Sequence, residues 1–178
     1  AQYTTRYLGF EIEPAAGVYR ISRIYRDGPA DKEWLGLKVG DTVLAIDGKA
    51  VRPPENIWKT FNESLNEFVT VKVASAADPK VTRDVRIRSV ASLGDVKYEE
   101  WVEKNREIVE KATNGQIAYV HIRSMSAGPL KRFQNEINEF WDKKGIIVDI
   151  RYNGGGNIDQ ELLDILDRRP YQYWNNRW

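Results

Sequence analysis

The stretch Gly145-Ile146-Ile147-Val148-Asp149-Ile150-Arg151-Tyr152-Asn153-Gly154-Gly155-Gly156-Asn157 decides how the C-terminal part of this chain is read. An apolar run empties into three consecutive glycines ahead of a helix-forming segment. Near-continuous apolar character marks a strand covered on both faces, as in parallel sheets. Glycines at the carboxyl end of such a strand let the backbone turn tightly and bring N–H groups to a ligand with no Cβ in the way. Working outward, Gln116 to Ile122 reads as another apolar strand. Pro129 to Lys144 reads as an amphipathic helix with Leu130, Phe133, Ile137, Phe140 and Trp141 toward the core, and Asn157 to Leu166 as the next helix. Strand, helix and strand in that order predict a right-handed parallel crossover. Two strands cannot bury their faces unaided, so the segment reads as the beginning of an α/β sheet.

Upstream the pattern changes to that of a small β-rich module. Tyr7 to Ile12 and Val18 to Ile24 alternate apolar with polar residues, the period of half-buried strands. Asp27-Gly28-Pro29-Ala30 is turn chemistry, Asp31 to Leu35 a short helix, and Gly36 to Asp41 a glycine-punctuated bend. Val43 to Ile46 is a strand, followed by Asp47-Gly48, a dipeptide suited to a tight hairpin turn. Asn56 to Leu65 repeats Ile57, Phe61 and Leu65 on one helical face; Phe68 to Ala74 and Val81 to Val90 are two further strands. Between the halves, Asp95 to Thr113 is charged and helical, with Tyr98, Trp101, Ile108 and Ala112 near one face and Asn114-Gly115 as its stop.

Composition narrows the chemistry. The 178 residues contain no cysteine, which excludes disulfides, thiolate zinc sites and cysteine nucleophiles. The single histidine, His121, excludes a two-histidine metalloprotease helix and leaves one imidazole for acid–base work. With 27 basic and 26 acidic residues the net charge is +1, and neither nucleic acid nor an anionic membrane is expected as a partner. No apolar stretch approaches the roughly 20 residues of a bilayer span, and the first residues lack a signal peptide's apolar region. No metal or cofactor is expected.

Two sets of residues carry family resemblances. Tyr7-Leu8-Gly9-Phe10, with Gly28-Pro29-Ala30, Gly36-Leu37-Lys38-Val39-Gly40-Asp41 and Ile46-Asp47-Gly48, resembles the PDZ domains of bacterial and archaeal proteases. Ile117 to Ile122 and Gly145 to Gly156 are similar to the core of tricorn protease and its relatives among the C-terminal (tail-specific) processing serine peptidases. The expected fold class is therefore α+β. It comprises an N-terminal PDZ domain over 1–92 (barrel-like, with two helices), a linker helix over 93–114, and a partial α/β peptidase core of crotonase/ClpP type over 115–178.

The resemblance implies a peptide-docking groove. Backbone N–H groups around Leu8, Gly9 and Phe10 form a nest for a C-terminal carboxylate, an extended peptide adds to the edge of the Phe10 to Glu13 strand, and Phe10, Ile12, Ile57 and Phe61 line a pocket for its last side chain. The competing reading makes Phe10, Ile12 and Phe61 plain core. Arg6 either assists electrostatically or is a solvated surface group. The implied partners are peptide or protein C-termini.

For Gly154-Gly155-Gly156 three readings stand: a phosphate cradle, a flexible turn, and an oxyanion hole. The first lacks the spacing of known nucleotide loops, and Asp159 would repel an anion there. The third agrees best with the resemblance, which places one oxyanion donor in this loop. Gly155 is favoured, with Gly154 and Gly156 as neighbours; losing such a donor costs about 3 kcal/mol of barrier. Asn157 is expected to be an N-cap, and Arg151 with Asp149 a structural pair at the strand end.

The family's nucleophilic serine follows the last segment present, and its general-base histidine precedes the PDZ domain; neither position exists in this sequence. His121 reads as structural, and Ser124 and Ser126 as loop residues without a base. The chain is therefore expected to be an inactive portion of a serine endopeptidase, cytoplasmic by the tricorn resemblance or periplasmic as for many processing peptidases. The alternative is a PDZ scaffold module that never belonged to an enzyme; a pseudo-enzyme is a third. The aromatic, basic tail Arg168 to Trp178 is expected to cover a neighbouring element in the intact protein or to drive self-association of the fragment, and a homo-oligomer is an expectation for the full protein.

Overall fold

The computed structural model describes residues 5–55, 57 and 67–167. The chain divides into two compact units, Ala1–Glu100 and Trp101–Trp178.

The first unit is one antiparallel sheet. Its strands are β1 (Phe10–Ala15), β2 (Val18–Ile24), β3 (Thr42–Ile46), β4 (Lys49–Ala50), β5 (Phe68–Ala74) and β6 (Thr82–Arg88), in the order β1-β2-β3-β5-β6 with β4 on β3. Two-residue turns set the register. Asp47 and Gly48 both have positive φ between the paired Ile46 and Lys49, and Ala16 and Gly17 do the same between Ala15 and Val18. Both central residues at positive φ make the turn whose twist matches that of the flanking strands. The expected short helix is a single 3-10 turn, Glu33–Leu35, closed by Gly36 in the left-handed region.

Ile21, Val43, Ile46, Val69, Val71, Val73 and Ile87 are fully buried between the strands. Beside them lies the carboxylate of Asp41, 2% exposed. It accepts from Lys38 N–H (3.1 Å), Ala76 N–H (2.9 Å) and the Arg83 guanidinium (3.2 Å), so the glycine-punctuated bend ends in a satisfied buried anion. Tyr7 lies outside β1 and exchanges two backbone bonds with Val90, shortening the expected first strand. The helix expected over Asn56 to Leu65 lies outside the described residues apart from Ile57.

Helix α1 (Gly94–Thr113) stops at Asn114 and Gly115, both at positive φ, with Gly115 N–H closing onto Glu110 C=O at 2.8 Å. That six-to-one bond is the Schellman stop. Its buried face follows the expectation at Tyr98 and Trp101, both half-buried, and departs from it beyond them. Val102 is buried and Arg106, Val109 and Thr113 are half-buried, whereas Ile108 and Ala112 are exposed.

The second unit pairs β7 (Ile117–His121) and β8 (Gly145–Asp149) in parallel, Ile117 opposite Gly145 through His121 opposite Asp149. Helix α2 (Ala127–Glu139) connects them and α3 (Asp159–Leu166) follows. Val120, Ile122, Phe133, Ile158, Leu162 and Ile165 form the core, with Leu130, Ile137 and Phe140 packed against it. Trp141, expected inward, is 82% exposed, because α2 ends at Glu139 and the helical period does not reach residue 141. The face of β8 carrying Ile147 is also open, at 45% exposure, as expected of a two-stranded sheet. Among the described residues no helix is long and apolar enough to cross a membrane.

Candidate functional site

Two sites emerge, one in each unit. In the first, Leu8-Gly9-Phe10 leads into β1, which lies at the end of the sheet and pairs only with β2 among the described residues. Gly9 has φ +84°, and a Cβ there would lie 2.6 Å from Pro29 Cδ, so both conformation and contact require glycine. Its C=O accepts from Tyr25 N–H at 2.9 Å. No described residue accepts from the N–H of Leu8 or Gly9, although both residues are buried. Buried amides without an acceptor are rare in folded chains and mark a place for a ligand or water.

Leu8, Phe10 and Ile12 line a cleft of about 100 Å³ together with Arg6, Glu11, Tyr25, Leu93 and Lys97. Ile57 does not line it; it lies in the core at 3% exposure. Phe61 falls outside the described residues. Leu8 and Phe10 are themselves core residues and Ile12 packs against them, as the core reading expects of Phe10 and Ile12. Arg6 is anchored through Nε to Ser89 Oγ at 2.7 Å.

Sequence reasoning missed Tyr25 and Lys97. The Tyr25 hydroxyl donates to the Glu11 carboxylate, and Lys97 Nζ stands 5.1 Å from the ring centre. Burial, and then the Glu11 carboxylate, raise the tyrosine's pKa. Tyr25 falls one residue beyond the alternating strand pattern, and Lys97 belongs to a helix read as a linker, so no local signal assigned either to the groove.

The second site is the glycine loop. At the end of β8, Asp149 is 8% exposed and takes a two-pronged hydrogen bond from Arg151 (Nε at 2.9 and 3.0 Å from its oxygens), one from Arg151 N–H at 2.9 Å and one from Tyr119 OH at 2.7 Å. The Arg151 guanidinium holds the carboxyl well below the usual range against the opposing effect of burial. Burial, then the Asp149 carboxylate, push Tyr119 up to about 12. The strand-end pair expected from sequence thus carries a third member.

Beyond it Tyr152 is left-handed (φ 58°), and the chain then zips onto the segment after β7. Gly154 N–H donates to Arg123 C=O (3.1 Å), Met125 N–H to Gly155 C=O (2.8 Å) and Asn157 N–H to Met125 C=O (2.9 Å). Gly156 bridges Met125 in parallel at φ +140°, and a Cβ there would sit 1.8 Å from Met125 O.

All three glycines are exposed, but their amides differ. That of Gly154 is turned inward; that of Gly155 is held by Asn153 Oδ1 at 2.6 Å; that of Gly156 has no acceptor among the described residues. The Gly155 amide, which the sequence reading favoured, could meet a ligand only if the Asn153 side chain yields. Asn157 is not an N-cap: α3 starts two residues later, with buried Ile158 in the cap position. His121 is buried and bonded from Nε2 to Arg151 C=O at 2.7 Å, a structural placement. Ser124 and Ser126 share a 3.0 Å hydroxyl contact in the turn before α2.

Two family models match this chain, one in each unit. Residues 7–92 match the family model of the tricorn protease PDZ domain, and residues 116–169 match peptidase family S41. The tricorn protease of Thermoplasma volcanium is 33% identical over 172 residues, covering 90% of this chain and 16% of that protein. A tricorn protease homolog of Saccharolobus solfataricus is 29% identical, covering 94% and 16%. In fold, the crystal structure of a tricorn protease superposes with a TM-score of 0.80 at 24% identity, over 98% of this chain and 18% of the other. The chain thus spans about 16% of the length of these curated relatives. With a tricorn-type PDZ domain followed by an S41 segment, in the order and over nearly the whole span in which these relatives match it, the chain belongs to the tricorn protease family.

Proposed function

We propose that this chain serves peptide-bond hydrolysis by a serine mechanism, supplying the peptide-docking domain and one side of the oxyanion site. In such a reaction a serine hydroxyl attacks the scissile carbonyl, its proton passes to a base, and the carbonyl oxygen gains the charge that backbone N–H groups must meet. The observation that carries the reading is Gly156. It is exposed, it stands where only glycine fits against Met125, and its N–H lacks an acceptor among the described residues, within a segment matching family S41. Nucleophile and base would come from other segments of the whole enzyme, since His121 is committed to Arg151 C=O. Assayed alone, the 178-residue chain should show no peptidase turnover. The whole enzyme carrying Gly156→Ala should lose roughly 100- to 1,000-fold in kcat. Turnover by the chain alone, or an undiminished kcat in the variant, would refute the assignment.

For the first unit the same proposal gives a groove for peptide C-termini, with the Leu8 and Gly9 amides and Arg6 meeting the carboxylate and β1 accepting the peptide as an added strand. A free-acid peptide should bind at least tenfold tighter than its C-terminal amide, since one charge-assisted hydrogen bond contributes about 1.5–3 kcal/mol. Equal affinities would argue against it. The scaffold alternative is favoured by one observation, that Gly154 N–H is bonded to Arg123 C=O and Gly155 N–H to Asn153 Oδ1. It predicts the peptide result without any effect of Gly156.

A further inference from the structure

The parallel ladder of β7 and β8 is interrupted where the glycine loop begins, and side chains occupy the vacated backbone positions. Ile122 N–H donates to Asp149 C=O at 2.9 Å, the last regular rung. In a parallel ladder the next two rungs would be Arg151 N–H to Ile122 C=O and Ser124 N–H to Arg151 C=O. Neither forms. Arg151 N–H goes to Asp149 Oδ1 (2.9 Å), Ile122 C=O accepts from Asn153 Nδ2 (2.8 Å), and Arg151 C=O meets His121 Nε2 (2.7 Å). Backbone bonding between the two segments resumes only at Gly154 N–H to Arg123 C=O, and the next bridge, Met125 opposite Gly156, is out of register with the β7–β8 ladder. Between these points Tyr152 takes its left-handed turn, which is costly for a bulky residue and persists only where the surroundings hold it.

The imidazole is fixed in turn. Trp101 meets it edge-on with ring centres 4.8 Å apart, and the same indole lies 6.0 Å from the Tyr152 ring and 5.4 Å from the Arg151 guanidinium. One aromatic side chain therefore packs on the imidazole and on both residues flanking the bond it makes. A carbonyl oxygen only accepts, so Nε2 must carry the hydrogen.

We infer that His121 is a positioning residue of the glycine loop: by donating to Arg151 C=O it replaces the missing ladder rung, holds the Tyr152 turn and sets where the Gly154-Gly155-Gly156 amides point. Its functional meaning rests on the oxyanion reading above. The geometric content is tested without substrate, so failure of one is distinguishable from failure of the other.

The experiment is amide hydrogen exchange by NMR on the full 178-residue chain and two variants, His121→Phe and His121→Gln. Phenylalanine keeps the ring and removes the donor; glutamine places an amide N–H near the position of Nε2. Losing one hydrogen bond should reduce protection of the Gly154 and Asn157 amides roughly three- to tenfold in His121→Phe. The Val120 amide within the ladder should change less than twofold, and His121→Gln should restore the loop. Loop protection unchanged in His121→Phe, a loss shared equally by Val120, or a loss not restored by glutamine would overturn the inference. Should the phenylalanine variant fail to fold, the unaltered chain decides. Nitrogen-15 correlation spectra of the ring must show hydrogen on Nε2, and a neutral ring carrying its hydrogen on Nδ1 would overturn the assignment.

Discussion

Replacing Gly156 by alanine should be the most damaging single-methyl change in the loop, and the structure supplies the magnitude. The added Cβ would lie 1.8 Å from Met125 O and 2.5 Å from Met125 C, backbone atoms that cannot rotate away. At φ +140° the residue also occupies a region closed to L side chains, worth about 1–3 kcal/mol. Relief requires moving the loop off Met125, which gives up the Met125 N–H to Gly155 C=O and Asn157 N–H to Met125 C=O bonds at about 1 kcal/mol each. The sum is about 3–5 kcal/mol. Gly155→Ala meets nothing within 4 Å and carries only its φ of +82°, about 1–2 kcal/mol. Gly154→Ala would place its Cβ 4.0 Å from Ser124 Cβ at an ordinary φ, for well under 1 kcal/mol. Global-exchange amides in β7 of the three variants read these differences for the second unit by itself. If Gly156→Ala proves no worse than Gly154→Ala, the close approach to Met125 is wrong and the geometry assigned to the loop fails with it.

Other outcomes follow from particular contacts. Gly9→Ala should weaken binding of free-acid peptides at least tenfold, because its Cβ would strike Pro29 Cδ at 2.6 Å and move the amide nest; calorimetric titration with unchanged affinity would contradict this. Tyr119 has a folded pKa raised above its unfolded value near 10, so its contribution, up to about 2 kcal/mol, is intact below pH 10 and lost as pH rises through about 12. Urea titrations of Tyr119→Phe should lack that alkaline loss, and an identical alkaline limb would count against the buried phenol. Asp149 is depressed, so its contribution is present above the ordinary carboxyl range near pH 4 and disappears as pH falls through the lower folded value; Asp149→Asn should flatten the acid limb of the same titration. Trp141→Ser should change stability by less than about 0.5 kcal/mol, given 82% exposure, and a larger loss in thermal unfolding would show a hidden contact.

Local chemistry alone determined a good deal of this protein. Asp47-Gly48 and Asn114-Gly115 announced a hairpin and a helix stop, because positive φ is available to few residues and the backbone must use them where they stand. Alternation over Val18 to Ile24, Phe68 to Ala74 and the apolar run from Gly145 located strands for the same kind of reason: side-chain period follows directly from strand geometry. The family resemblance rested on particular stretches rather than on periodicity: Tyr7 to Phe10 with the glycine-bearing segments from Gly28 to Gly48, and Ile117 to Ile122 with Gly145 to Gly156.

Tertiary structure decided which donors are free and which residues hold them. Gly154, Gly155 and Gly156 are indistinguishable as letters, and only the approach of Met125 and Asn153 makes one amide internal, one side-chain-held and one without a described acceptor. Tyr25 and Lys97 reached the first groove, and His121 the second site, through contacts between segments far apart in sequence. Periodicity reports how a residue faces its own element. Hydrogen-bond ownership depends on what another element brings within 3 Å, and no pattern along a single segment encodes that distance.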